Sequence, residues 1–390
     1  MISTIAARRL ISAGMVVDYP LLHLEDGRIS SIDALSQADH ERVEATHRFP
    51  DATLVPSYID IHVHGCAGHD VMEATPAALG VIGNYLATRG VGAYFPTTVT
   101  STQDQTLRSL AGLATEIKQR HAAPTGATPL GIHLEGPFLS HRKRGVHTEA
   151  LLEAPSIPLF ERFWQASEGH IQLMTIAPEL SGAEELIAHA TKLGVRCSMG
   201  HSDAEVCEAQ AGFRAGARSA THTFNAMRAL DHREPGIAAY VLDESALFAE
   251  IICDGIHVDP IMVRLFFRAK GEDRIILVTD GMSATGMPDG TYLLGDMEVQ
   301  VHNGRCTTGG THGTLAGSVL TLDRGVQNFI EFTGTSLKTA VAAASRNPAQ
   351  LMGIDDAWGA LDTGRTANIT VLSPTSQVIQ TFLAGRPAIS

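Results

Sequence analysis

Residues 56–65 read P-S-Y-I-D-I-H-V-H-G, a short apolar stretch with histidines at two alternate positions. The pattern predicts a buried β-strand, and alternation of side chains across a strand puts Asp60, His62 and His64 on one face. Two imidazoles spaced in this way are suitable nitrogen ligands for a divalent metal. The segment alone is equally well explained by a strand with two buried, hydrogen-bonded histidines, so the rest of the chain must decide between these interpretations.

Seven further short apolar runs follow the first one, as expected for strands that are buried on both faces. The eight runs are 53–61, 91–97, 130–135, 171–177, 195–200, 219–224, 247–253 and 275–279. Segments of helical periodicity separate most of them, at 76–89, 104–121, 159–168, 182–193, 203–215 and 260–270. Strands that alternate with helices in this way predict an α/β fold, a parallel (β/α)8 TIM-like barrel over residues 53–362.

The two ends of the chain have a different pattern. Short strand-like segments lie at 14–17, 20–25, 28–34, 367–372 and 378–384, and Asp26-Gly27 is typical of a hairpin turn. We predict that residues 1–52 and 363–390 pair into one small β-sandwich domain outside the barrel. Near 285–317, the strand-like segments 291–294 and 297–302 predict a hairpin insertion beside the barrel mouth.

Composition excludes several classes of function. A net charge of −13 argues against nucleic acid as a partner. No apolar run is long enough to span a bilayer, and residues 1–10 lack the apolar core of a signal peptide. The cysteines, Cys66, Cys197, Cys207, Cys253 and Cys306, are scattered and form no C-x-x-C pair, which indicates reduced thiols. We therefore expect a cytoplasmic protein with neither a membrane nor a nucleic acid as partner.

Histidines and carboxylates collect at the carboxyl ends of the predicted strands, where barrel enzymes carry their active sites. Six of the eight strands end in or lead to such residues, which are His62 and His64, His133 and Glu135, His201, His222, Asp254 and His257, and Asp280. A lone histidine at a strand end is usually structural. Eighteen histidines spread over the chain would not produce this set by chance, so it indicates a functional site.

The residue types suit a zinc site with an open position for water. Glu135, His201 and His222 would make one such site, and His62 and His64 could join Glu135 in a second. His133 is predicted to support a ligand or to pack, and not to bind the metal itself.

Asp280 ends the eighth predicted strand and is not needed to complete either metal site. A divalent metal makes water acidic near neutral pH, and a nearby carboxylate can take its proton and pass it to a leaving group. Asp280 is therefore the predicted proton carrier.

The same residues carry a resemblance to the amidohydrolase superfamily, whose pattern P-x-x-I-D-x-H-x-H-G is matched from Pro56 to Gly65. More particular strings resemble the amino-sugar phosphate deacetylases of that superfamily. They are HLEGPF at 133–138, GHS at 200–202, THTFNAM at 221–227, DGIH at 254–257 and LAGS at 315–318, and the match covers nearly the whole chain.

The resemblance implies a hydrolase that acts on a linear amide. The expected reaction cleaves the acetamide of N-acetyl-D-glucosamine 6-phosphate to D-glucosamine 6-phosphate and acetate, in amino-sugar catabolism. The nearest alternative is the galactosamine epimer of this substrate, and a more distant one is an N-acyl amino acid or a cyclic amide. An inactive barrel that serves as an assembly scaffold is disfavoured by the intact ligand set.

The resemblance also implies roles for individual residues. Glu135, His201 and His222 would hold a metal, Asp280 would act as general base and then acid, and His147 would polarise the acetyl carbonyl or bind a sugar hydroxyl. Substrate-contacting positions are matched by Asn225, Ala226, His257, Leu315, Ala316 and Gly317.

Arg233 matches a phosphate ligand that reaches the site from the partner subunit of a homodimer. Arginine suits a phosphate because its planar fork of donors matches the phosphate oxygens. Without the resemblance, a surface ion pair would explain this arginine equally simply.

The chain differs from related enzymes in two respects, since many amidohydrolases have a bridging lysine that it lacks, and some deacetylases lack the strand-one histidine pair that it keeps. Strand four ends in Ala177-Pro178-Glu179, without the lysine that bridges two metals in many amidohydrolases. Glu135 must therefore be the bridging ligand if two metals bind. We expect the metal to be zinc, with one or two ions per subunit. Because the chain keeps both His62 and His64, two ions are favoured.

Overall fold

The computed structural model describes residues 2–122, 126–309 and 313–388 of the chain. Its centre is a parallel sheet of eight strands that curls into a nearly closed barrel, which confirms the predicted fold class. Numbered along the chain, barrel strands one to eight are Tyr58–Val63, Val91–Thr98, Ile132–Glu135, Ile171–Ile176, Arg196–Met199, Ser219–Ala220, Phe248–Ile252 and Ile275–Val278. A short strand, Thr128–Pro129, adds to the edge of strand two.

Each barrel strand is followed by a helix that packs its apolar face on the outside of the barrel. These helices are Pro76–Thr88, Gln103–Ala122, Ile157–Ala166, Ala183–Lys192, Val206–Ala215, Gly236–Asp243, Pro260–Lys270 and Leu322–Thr333. The sequence pattern predicts six of them and misses 236–243 and 322–333. Two more helices, Leu337–Ala344 and Arg346–Met352, continue from the last one. Within the described ranges, no helix combines the length and the hydrophobicity that crossing a bilayer requires.

Both chain ends contribute to a separate eight-stranded sheet with its own apolar core. Its strands are Ile2–Ser12, Met15–Asp18, Pro20–Glu25, Arg28–Ala34, His47–Pro56, Ile369–Leu372, Val378–Leu383 and Arg386–Pro387. A helix, Gln37–Arg42, joins two of them. The predicted strand 53–61 is in fact two strands, since His47–Pro56 belongs to this sheet and pairs with Ile369–Leu372, whereas Tyr58–Val63 starts the barrel. The predicted boundary at residues 52 and 53 therefore falls inside a strand.

The insertion before the eighth helix is larger than the predicted hairpin. It is a four-stranded antiparallel sheet formed by Gly290–Leu294, Met297–His302, Arg305–Thr308 and Thr314–Leu315. The Asn303-Gly304 turn connects the second and third strands, and both residues have positive φ, as a tight hairpin turn requires. This inserted sheet forms one wall of the barrel mouth.

The barrel closes between strands eight and one, where the parallel ladder is shortest. The backbone N–H of Asp280 donates to the carbonyl of His62 at 2.9 Å, and that of His64 donates to the carbonyl of Gly281 at 2.7 Å. Asp60, fully buried in strand one, adds a side-chain link by accepting a hydrogen bond of 2.6 Å from the hydroxyl of Thr279. A second bond to the Asp60 carboxylate comes from the backbone N–H of His62 at 3.2 Å.

Replacing Asp60 with alanine should weaken this closure, because buried donors on Thr279 and His62 would lose their acceptor. We expect Asp60→Ala to lower the free energy of unfolding by about 2–4 kcal/mol. Urea denaturation with a chelator present measures the fold without metal binding. Asp51→Ala, an exposed aspartate in the strand before the barrel, should change stability by less than about 0.5 kcal/mol. A midpoint for Asp60→Ala equal to that of Asp51→Ala would contradict this role.

Candidate active site

A buried carboxylate surrounded by imidazoles lies at the barrel mouth. Glu135 ends strand three and is 2% exposed. Its Oε1 lies 3.4 Å from Nε2 of His62, 3.4 Å from Nε2 of His201 and 3.3 Å from Nε2 of His222. Its Oε2 lies 3.2 Å from Nε2 of His64. The four strand-end histidines predicted as ligands therefore converge on the predicted bridging carboxylate.

The cluster divides into two groups of donor atoms. Nε2 of His201 and Nε2 of His222 lie 3.1 Å apart, and both approach Oε1 of Glu135. On the other side, Oδ1 of Asp280 lies 3.5 Å from Nε2 of His62 and 3.2 Å from Nε2 of His64. Glu135 lies between the groups, with Oε1 near His62, His201 and His222 and Oε2 near His64.

Hydrogen bonds on the outer side of the rings show which ring nitrogens face the cluster. Nδ1 of His201 donates to the carbonyl of Lys143, and Nδ1 of His64 donates to the carbonyl of Thr97, both at 3.0 Å. In a neutral ring, a proton on Nδ1 leaves a lone pair on Nε2. Nε2 of His62 and Oε1 of Glu135 are buried and have no hydrogen-bond partner among the described residues. Inward lone pairs and an unpartnered carboxylate oxygen fit a bound cation.

The pKa values of the ring nitrogens follow from the same surroundings. Burial lowers the pKa of His201 to about 4, which keeps this ring in the neutral form that can bind a metal. Burial acts in the same direction on His64, but the carboxylates of Asp280 and Glu135 outweigh it and raise its pKa to about 9. The site therefore attracts positive charge on the side of Asp280.

His147 lies close to this cluster but differs from the ligands in its hydrogen bonding. Spatial proximity alone would group it with Glu135 and His201 as a metal-binding set. However, Nδ1 of His147 accepts from the backbone N–H of Thr100 at 3.4 Å and lies 2.7 Å from the Thr100 hydroxyl. The neutral ring then carries its proton on Nε2, 3.7 Å from Oε2 of Glu135, and is a hydrogen-bond donor there.

Asp280 follows strand eight in a left-handed conformation, with φ of 51°. Burial would raise its pKa, but His62 and His64 beside it lower that pKa below its usual range. The carboxylate is thus ionised and able to accept a proton.

His201 and His222 share the positive φ of Asp280, at 47° and 27°. Strand six is predicted over 219–224. In the structure it ends at Ala220, because the backbone turns at His222. Holding a non-glycine residue at positive φ costs about 1–3 kcal/mol, and such residues cluster at functional sites.

A cavity of about 550 Å³ opens above the cluster. Five of the predicted substrate-contacting residues line it, namely Asn225, Ala226, His257, Leu315 and Gly317. Ala316 differs from its neighbours, since it is fully buried in the apolar core of the inserted sheet. Arg233 lies on an exposed loop outside the cavity, with its backbone N–H bonded to Asp231.

His257 lies in the wall of this cavity with a carboxylate beside its ring. Its Nδ1 lies 2.6 Å from Oδ2 of Asp254, whose other oxygen accepts from the backbone N–H groups of Ile256 and His257. Burial opposes protonation, but the Asp254 carboxylate outweighs it and raises the pKa of His257. A protonated imidazole in the wall suits an anionic substrate.

Sequence reasoning missed several residues of the site. Thr100, which sets the tautomer of His147, has no distinctive spacing. The basic run at 141–144 is visible in the sequence but is by itself typical of a solvated loop, and it lines the cavity. Glu250, which contacts His62, lies within an apolar run that predicts only a buried strand. His133 donates to the carbonyl of Ile61 and also contacts Thr175, which agrees with its predicted supporting or packing role.

Comparison with known proteins gives one consistent result. Residues 53–388 match the model of the amidohydrolase family. The chain is similar, at 36% identity over the whole of both chains, to an N-acetylgalactosamine-6-phosphate deacetylase of Escherichia coli O157:H7. It is 34% identical to an N-acetylglucosamine-6-phosphate deacetylase of Bacillus subtilis (strain 168), over 97% of this chain and 95% of that one.

A solved structure with a TM-score of 0.93 and 31% identity covers 100% of both chains. It is a mutant N-acetyl-D-glucosamine-6-phosphate deacetylase from Mycobacterium smegmatis in complex with N-acetyl-D-glucosamine-6-phosphate.

A divalent cation should stabilise the folded chain, because it would neutralise Glu135 and engage the inward lone pairs. After chelator treatment, Zn²⁺ at 100 times its dissociation constant should add about 2.7 kcal/mol of stability, seen as a rise in Tm. Glu135→Gln should lose most of this rise, whereas the exposed control Glu41→Gln should keep it. An undiminished rise in Glu135→Gln would show that the cation binds elsewhere.

Proposed function

Because the chain belongs to the amidohydrolase family, we propose that it hydrolyses the acetamide of N-acetyl-D-glucosamine 6-phosphate to D-glucosamine 6-phosphate and acetate. The observation that carries this proposal is the cluster around Glu135, with Asp280 beside it, at the floor of a cavity that His257 lines. The site thus combines the ligands of a hydrolytic metal with a proton acceptor and a positive group for a phosphate.

The mechanism assigns a separate task to each residue. Glu135 and the strand-end histidines would hold the metal, which when bound supplies a Lewis acid that polarises the amide carbonyl and acidifies water. The Nε2–H of His147 donates a hydrogen bond to the acetyl oxygen as negative charge develops on it.

Asp280 carries the proton. Its carboxylate takes a proton from the attacking water while the water oxygen forms a bond to the acetyl carbon. The same proton then passes to the nitrogen as the carbon–nitrogen bond breaks. Acetate and the free amine leave, and Asp280 returns to its ionised form.

Substrate binding is assigned to the cavity wall. His257 and the backbone around Asn225 and Ala226 would bind the phosphate and neighbouring hydroxyls, and Leu315 and Gly317 would pack against the sugar. Ala316, buried behind them, would support this wall. The five unpaired cysteines support a cytoplasmic location, where thiols stay reduced.

The galactosamine epimer is the second candidate substrate, and the Escherichia coli relative favours it. The Bacillus subtilis and Mycobacterium smegmatis proteins carry the glucosamine activity in their names, and so we prefer the glucosamine form.

Acetate release from the two epimeric sugar phosphates tests the function. We expect turnover of the glucosamine substrate, its loss with chelator, and a much lower kcat/KM for the epimer. Asp280→Asn should keep the metal and the fold but lower kcat by about 10²–10⁴-fold, because an amide cannot carry the proton. Absence of acetate from both substrates with metal-replete protein would reject the function, and near-normal turnover of Asp280→Asn would reject the role of Asp280.

The metal count is a separate proposal. We propose two zinc ions per subunit, with the ion at His201 and His222 the tighter and Glu135 shared between both. His62→Asn combined with His64→Asn should remove one ion per chain and weaken activity without abolishing it. Elemental analysis measures the count, and His69→Asn, outside the cluster, is the control. One ion per chain in both wild type and double variant would refute the second site.

Arg233 is proposed to reach the phosphate site of a partner subunit in a homodimer. Arg233→Ala should then mainly raise KM for the sugar phosphate. Mixed with Asp280→Asn protein, it should recover activity, because a hybrid dimer holds one intact site. Random exchange at equal amounts would make about a quarter of all sites intact, and so would give about a quarter of wild-type activity at substrate concentrations well below KM, where Arg233→Ala alone is only weakly active. No recovery, with subunit exchange shown directly, would count against a shared site.

A further inference from the structure

One buried carboxylate close to the site has no part in the mechanism above. Glu250 lies in the middle of barrel strand seven, within the apolar run F-A-E-I-I at residues 248–252, and is 0% exposed. An ionised carboxylate in such surroundings is costly unless it has partners. Its contacts therefore identify the groups that compensate for its burial.

Both partners of Glu250 belong to the proposed ligand set. Oε2 of Glu250 lies 3.2 Å from Nδ1 of His62 and 3.2 Å from the backbone nitrogen of His222. The other oxygen, Oε1, is buried and has no hydrogen-bond partner in the described part of the chain. A single carboxylate oxygen thus holds a side chain of strand one and the backbone at the end of strand six.

His62 is unlike the other three ligand histidines in what lies behind its ring. Neutral backbone carbonyls accept from Nδ1 of His64 and Nδ1 of His201. Nδ1 of His222 has no hydrogen-bond partner among the described residues. Within this set, only the ring of His62 has a carboxylate behind it.

A carboxylate behind an imidazole has two effects on a metal ligand. It fixes the proton on Nδ1, so that the Nε2 lone pair of His62 is directed toward Glu135 and Asp280. It also pushes electron density into the ring, which strengthens the bond from Nε2 to a cation.

We propose that Glu250 is a positioning residue for the second metal ion, acting through His62 and selectively for the His62–His64 position. This inference deepens the two-ion form of the proposed function and rests on it. Glutamine at this position keeps a carbonyl oxygen that can accept from the backbone of His222, so the His201–His222 position should be little affected.

Metal affinity of the whole protein, measured without substrate, tests the proposal. Wild type, Glu250→Gln and Glu116→Gln are loaded with Zn²⁺ and dialysed against a series of chelator concentrations, and ions per chain are counted by elemental analysis. In Glu250→Gln the weaker ion should dissociate at a free Zn²⁺ concentration about 10–100-fold higher than in wild type. The tighter ion should dissociate as in wild type. Glu116, a buried glutamate paired with Arg120 in the helix 103–122, is the matched control and should leave both ions unchanged.

A double-mutant cycle separates positioning from a general effect on the fold. In the background of His62→Asn with His64→Asn, adding Glu250→Gln should not weaken the remaining ion further, because the proposed path runs through His62. Glu250→Asp keeps the charge but moves the carboxylate away from His62, so it should also weaken binding of the second ion. This variant replaces Glu250→Gln in the experiment if Glu250→Gln does not fold.

Two results would overturn the proposal. Either both Glu250 variants keep wild-type affinity for both ions, or they weaken the two ions equally, as a purely structural residue would. Wild type that binds a single ion would overturn it as well. None of these readouts depends on turnover. If Glu250→Gln selectively loses the second ion while the wild-type protein releases no acetate, the proposed function is rejected and the role of Glu250 stands.

Discussion

Burial of the Glu135 carboxylate is the constraint on which the rest of the site depends. A charge that is 2% exposed must be compensated by nearby groups, and four imidazoles from strands one, five and six supply them. These residues are far apart in the chain and meet only because parallel strands bring their carboxyl ends to one end of the barrel. The closure between Asp60 and Thr279 therefore contributes to function, since it fixes strand one, and with it His62, against the end of strand eight.

The barrel interior below the site is polar, which is unusual for a strand layer buried on both faces. His133 bonds to Thr175, Thr175 lies 2.8 Å from the hydroxyl of Thr221, and Thr221 donates to Ser198 at 2.7 Å. Each of these three hydroxyls has a hydrogen-bond partner, as buried polar groups require. This row links strands three to six directly below the predicted ligands.

Sequence reasoning predicted the barrel and most of the site because both depend on short-range patterns. An apolar run followed by histidine marks a strand end. The parallel barrel then brings these strand ends together at its mouth. Contacts that depend on distant partners were missed. Glu250 lies 188 positions from His62 in the sequence, and one glutamate in an apolar run carries no signal of that contact. Strand six was predicted too long because Thr221, Thr223 and Phe224 are residue types common in strands, whereas the backbone turns at His222.

The histidines of this site have different chemistry because different partners bind the nitrogen that faces away from the cavity. A carbonyl behind His201 leaves a lone pair for a cation, whereas a backbone N–H behind His147 leaves a proton for a substrate oxygen. A carboxylate behind His257 favours the charged ring. Motif spacing identifies which positions carry imidazole, but the protonation of each ring depends on its outer partner. The protonation of these rings is therefore a property of the fold, and replacing an outer side chain such as Asp254 would change the protonation of a ring whose own residue is unchanged.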